Sequence, residues 1–146
     1  MPDYSPWTAV ARLQDVLVAF TDLPSGRGWW EPDEQVLLLD RQQTRREMRC
    51  TLAHELEHIL RGDSDVSDVS PVLQARQEVA ACAAASRRLI PLGRMIDALL
   101  WSQDEHELAE ELNVDVDTLR MRLLTLTPDE HAFIDERLWD AEAQTA

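Results

Sequence analysis

The chain has 146 residues, 45% of them apolar, enough for one compact domain with a buried core. Its 28 acids outnumber 14 basic residues, every one an arginine, and the formal net charge of −14 disfavours contact with nucleic-acid phosphates. No apolar run reaches the ~18 residues that span a membrane, the start MPDYSPWTAV is no secretory leader, and two cysteines make no disulfide framework; a cytoplasmic protein is expected.

Ser5-Pro6 reads as a helix cap followed by proline in the first turn. Val10, Leu13, Val16, Leu17 and Phe20 then recur at helical spacing, which predicts a helix over 6–20. Residues 23–28, LPSGRG, break it. Gly28-Trp29-Trp30 and residues 35–40, QVLLLD, flank a Pro-Asp turn and predict a β-hairpin.

From Thr44 the period changes. Met48, Leu52, Leu56, Ile59 and Leu60 lie mostly three to four apart, which predicts a helix over 44–61 with Gly62 as its stop. Residues 63–69 read as a polar loop, with Asp63, Asp65 and Asp68 as solvated turn residues. Ser70-Pro71 opens an alanine-rich helix over 71–90, whose small side chains allow close packing on a neighbour. Cys50 and Cys82 fall in helical stretches and read as reduced core residues. A short helix follows over 92–102, then a helical pair in HELAEELNV and DVDTLRMRLL. The last segment begins with a Thr127-Pro128 cap and is expected to fray into a polar tail.

The chemistry concentrates in residues 54–58, HELEH. On a helix, positions four apart share a face with Cβ atoms ~5–6 Å apart. His54 and His58 can therefore grip one zinc ion at ~2.0–2.1 Å. Glu55 projects about 100° round the helix from His54, where a carboxylate can take a proton from water beside the ion. Glu78 is the best third ligand, a carboxylate amid alanines at a distance along the chain that suits an antiparallel helix pair. Cys82, one turn further on, and the loop aspartates Asp63, Asp65 and Asp68 are rival ligands. Glu57 reads as an exposed charge, and Tyr4, His106 and His131 as structural or surface groups rather than stabilisers of a reaction intermediate.

Three stretches carry a family resemblance. RREMRCTLAHELEHIL is similar to the R-x-x-x-x-H-E-x-x-H helix of the ImmA/IrrE metallopeptidases, EVAACAAASRRLIP to their second-helix signature, and HELAEELNVDVDTLRMRL to their C-terminal helix-turn-helix-like segment. The resemblance runs from about Trp29 to Leu126. Here Glu57 stands where a small residue is common, and Asp63 where a histidine often follows glycine. Cys82 and Ala84 replace the usual Asp or Asn and aromatic.

The resemblance implies an α+β, mainly α fold, with a small β-hairpin or sheet packed on a zincin-like helical core. Residues 1–91 would form that core, and residues 92–146 a C-terminal helical region packed on it as one unit. His54, His58 and Glu78 would bind Zn2+, with Mn2+ or Fe2+ as other occupants, and Glu55 would be the base. Family members encoded by phages and mobile elements cleave a helix-turn-helix repressor, so a repressor protein is the expected substrate, with no nucleic-acid or membrane partner. A non-catalytic antirepressor or antitoxin-like module with a structural metal is the alternative. A DNA-binding regulator is weaker, because the second helix of the pair offers only Arg120 and Arg122 among acids.

Overall fold

The computed structural model describes residues 3–146. Helix α1 (Pro6–Ala11) starts where the sequence predicts, with the Ser5 hydroxyl accepting from the Thr8 N–H. It stops after 6 residues. The helix expected over 6–20 is therefore replaced in its second half by strand β1 (Leu17–Thr21). The physical reason lies in the composition: Val16, Val18, Phe20 and Thr21 favour extended backbone, and a partner strand is present. The apparent period misled because Leu17 and Phe20, two of its members, are exposed at 63% and 51%.

Strands β2 (Gly28–Glu31) and β3 (Val36–Asp40) form the expected hairpin, with Gly28 opposite Leu39 and Glu31 opposite Val36. Gln35 takes a left-handed φ of 53° in the turn. β1 joins the other side of β3 in parallel, so the sheet order is β1-β3-β2. Leu37 and Leu39 are fully buried and meet Leu52 and Leu56 of helix α2 (Arg45–Arg61).

α2 follows the predicted bounds closely. The Thr44 hydroxyl accepts from the Glu47 N–H at 3.2 Å, and Gly62, with φ 68°, ends the helix in the left-handed region that glycine adopts freely. Helix α3 (Pro71–Leu89) is capped by Ser70. It packs on α2 through Ala81 and Ala85 against Cys50 and Ala53, all buried small residues that let the two backbones approach. α2 thus has three faces. Leu52 and Leu56 meet the sheet, Cys50 and Ala53 meet the helical core, and the third face carries His54, Glu55 and His58.

Helices α4 (Leu92–Trp101), α5 (Glu105–Glu111), α6 (Val116–Leu124) and α7 (Pro128–Thr145) complete the chain. Met95, Leu108, Leu112, Val114, Leu119 and Ile134 join Cys50, Ala53 and Ala85 in one cluster. The last segment stays helical to Thr145 instead of fraying early, and its start is fixed by a reciprocal capping box of Thr127 and Glu130. Arg122 of α6 is buried and donates to the Ile90 carbonyl at 2.9 Å and to Glu130 at 2.8 Å. Burial opposes ionisation of Glu130, but bonds from Arg87 and Arg122 outweigh it and hold the carboxyl down at about 2. Among the described residues, no helix is long and apolar enough to cross a membrane.

Candidate metal centre

The HELEH helix and the alanine-rich helix bring three donors together. His54 Nε2 and His58 Nε2 lie 3.1 Å apart. The Glu78 carboxylate reaches both, at 3.0 Å from His54 Nε2 and 3.2 Å from His58 Nε2. Donor atoms of the three residues all fall within 4.8 Å of one another. An ion with metal–nitrogen bonds of ~2.0–2.1 Å in tetrahedral geometry holds its ligands about 3.3 Å apart, so this spacing fits. Two imidazoles and one carboxylate are also the donor chemistry of an open, three-ligand site for a borderline transition metal.

The outer nitrogens of both rings are engaged elsewhere, which turns the Nε2 atoms inward. His58 Nδ1 sits 3.0 Å from Asp63 Oδ2, and His54 Nδ1 lies 3.4 Å from Cys82 Sγ. A carboxylate on Nδ1 fixes the tautomer that leaves the Nε2 lone pair free to bind. Burial makes His54 harder to protonate, and the neighbouring His58 adds to this against the pull of Glu78. Burial likewise pushes the Cys82 thiol up.

Glu55 occupies the place expected for a base. Its residue is 7% exposed, and among the described residues its carboxylate has no hydrogen-bond partner. Burial raises its pKa from the ordinary value of 4.5 to about 7; His58 opposes the rise and Glu78 adds to it. Strand β2 presses close by. A Cβ on Gly28 would stand 2.7 Å from Thr51 Cγ2 and 3.0 Å from Glu55 Cγ, so only glycine lets the strand lie this close to the base. The Gln43 amide ties the same layers together, donating to the Arg27 and Asp40 carbonyls and accepting from the Thr51 hydroxyl.

Several expectations change. Glu57 is 3% exposed rather than a surface charge, and it pairs with Arg88 of α3. Asp63 is no solvated turn residue; its side chain is tucked against His58 and Arg61. Asp65 and Asp68 are exposed, as expected of turn residues. Cys50 is buried in the core, whereas Cys82 is half-buried beside His54 and lines a cavity. His106 and His131 are exposed and Tyr4 packs against the helical core, so none lines the cavities beside the triad.

Gly28 is a site residue that sequence reasoning passed over, and Asp63, weighed there as a rival ligand and a turn residue, proves instead to be the partner of His58 Nδ1. A glycine opening a strand is itself a signal of close backbone approach, and it precedes the two tryptophans directly. Asp63 follows Gly62, whose left-handed turn folds the chain back so that the Asp63 N–H bonds to the His58 carbonyl at 3.0 Å.

Comparison with known proteins gives the family and a similar fold. The family model described as the IrrE N-terminal-like domain, Peptidase_M78, matches residues 11–124. A Mycobacterium tuberculosis transcriptional regulator has a similar fold, with a TM-score of 0.60 and 20% identity over 84% of this chain. The chain spans 41% of that protein's length. No curated protein matches the sequence.

Proposed function

Since the chain belongs to the IrrE N-terminal-like peptidase family, we propose that it is a zinc-dependent endopeptidase acting in the cytoplasm on a helix-turn-helix repressor. The observation that carries the reading is the convergence of His54, His58 and Glu78 beside Glu55, which is 7% exposed and has no hydrogen bond among the described residues. His54, His58 and Glu78 would hold the ion. When bound, the ion supplies Lewis acidity, polarising the scissile carbonyl and making nearby water more acidic.

The chain's own residues do the rest. Asp63 keeps the proton on His58 Nδ1, so that Nε2 stays a donor of electrons. Glu55 takes the proton of the attacking water and passes it to the leaving amine nitrogen, which needs a carboxyl that both gains and loses a proton near neutrality. Strand β2 is hydrogen-bonded only to β3 among the described strands, leaving its other edge free to pair an extended peptide.

The acidic chain favours a basic protein partner over a phosphate backbone. Reading DNA through α6 is disfavoured by the same structure. Arg122 is buried and cannot reach a base edge, and the exposed Arg120 stands paired with Glu105 at 2.7 Å among acids.

The test is cleavage of the helix-turn-helix repressors encoded beside this gene, with metal content measured on the same sample. Glu55→Gln keeps the metal and the fold and loses cleavage. A variant that still cuts at the wild-type rate would falsify the role of Glu55. Full biological activity of Glu55→Gln would favour a protein that acts by binding alone.

A further inference from the structure

A cavity of about 440 Å³ opens beside His54, Glu55 and Glu78 and runs to the first turn of α6. We infer that it is a subsite for an arginine or lysine side chain of the peptide substrate, an assignment that rests on the peptidase reading above. Its walls near the triad are apolar or small: Gly28 of β2, Cys50 of α2, Ala85 of α3 and Met121 of α6. Such walls suit the aliphatic stem of a long side chain. Asp115 and Asp117 also line it, at the start of α6. Asp115 Oδ1 caps the helix by accepting from the Thr118 N–H, which leaves Oδ2 toward Arg27, and Asp117 stands in a loose, exposed contact of 3.8 Å with Arg120.

Two further observations point to a ligand of this kind. The Glu55 carboxylate, nine-tenths buried and without a hydrogen bond among the described residues, opens onto the same cavity. Arg27, from the loop between β1 and β2, places its guanidinium 3.4 Å from Asp115 Oδ2 while remaining half exposed. The chain thus already sets one guanidinium against this carboxylate, through a long contact that a better-placed guanidinium can displace. A smaller cavity of about 230 Å³ shares Gly28, Glu55 and Glu78 with it and is otherwise lined by Trp29, Trp30, Asp63, Asp65 and Gln74 among others.

The experiment uses metal-free protein with Glu55 intact, which does not consume its ligand, and peptides spanning a cleaved or candidate repressor segment. At each position in turn, Arg, Leu and Glu are compared by calorimetry. One position is expected to bind Arg about fivefold tighter than Leu, the upper range for a partly exposed ion pair. Asp117→Asn lowers that ratio, Asp117→Arg turns the preference toward Glu, and Arg27→Ala strengthens Arg binding by removing the internal competitor. Asp117 is 84% exposed in its side chain, so these changes spare the core, and thermal melting checks the fold of each variant. Equal binding of Arg and Leu at every position overturns the subsite. If wild-type protein cuts peptides with no such preference, the subsite fails and the peptidase reading stands. An Arg preference without any cleavage by wild-type protein leaves the subsite and sinks the peptidase.

Discussion

Two clusters of buried charge sit in this small protein and differ in one respect. Around α6 and α7, Arg122 and Arg87 both donate to Glu130 and Arg122 also donates to the Ile90 carbonyl, although Arg122 Nη1 is left buried without a partner among the described residues. Around α2 and α3, His54, His58 and Glu78 point their electron pairs at a common centre while Glu55 has no partner among the described residues. Opposite charges that pair with one another serve the architecture, whereas donor atoms that converge on one point mark a place where something binds. The same chain contains the control and the site.

The comparison can be broken most forcefully at His58. His58→Ala should remove the metal, with affinity falling by more than the roughly 100-fold at the top of the range for outer partners. Elemental analysis after dialysis reads this directly, and full retention of metal would mean that the three donors are not its ligands. At the Arg122 and Glu130 cluster the reverse is expected. Arg122→Met should leave metal binding intact and cost about 3 kcal/mol of stability in urea unfolding, because Glu130 stays behind with one partner fewer.

Smaller effects sharpen the contrast. Asp63→Ala should weaken metal binding about 10-fold, the lower range for an outer partner of a ligating histidine, with little change in melting temperature. An unchanged affinity would return Asp63 to the role of a turn residue. A further effect is one of pH. The Glu130 carboxyl is held at about 2 in the fold against 4.5 ordinarily, so its charge stabilises the protein above 4.5 and that stabilisation fades as pH falls toward 2. Glu130→Gln should be less stable than wild type at neutral pH, and the gap should close across that acid range in denaturant titrations. A gap that persists at pH 2 would assign the effect to packing.

Much of the site was legible because it is local. His54, Glu55 and His58 lie within five residues, and helical geometry alone puts both imidazoles on one face. Glu78 was reachable because a carboxylate among alanines needs a reason. What escaped is what depends on the third dimension. β1 was read as helix because its neighbours repeat at helical spacing, and the partner that makes it a strand, β3, lies some twenty residues away. Glu57 was read as exposed because nothing near it in sequence announces Arg88.

The sequence by itself determined the caps, the hairpin turn, the boundaries of α2 and α3, and the spacing of the two histidines, all set by backbone geometry over a few residues. Tertiary structure alone decided how close Gly28 comes to Glu55, how Asp63 meets His58, and that α6 walls a cavity beside the triad. The reason is physical: local propensity acts along the chain, whereas desolvation of Glu55 and the alignment of His58 arise from groups that only packing brings within a few ångströms.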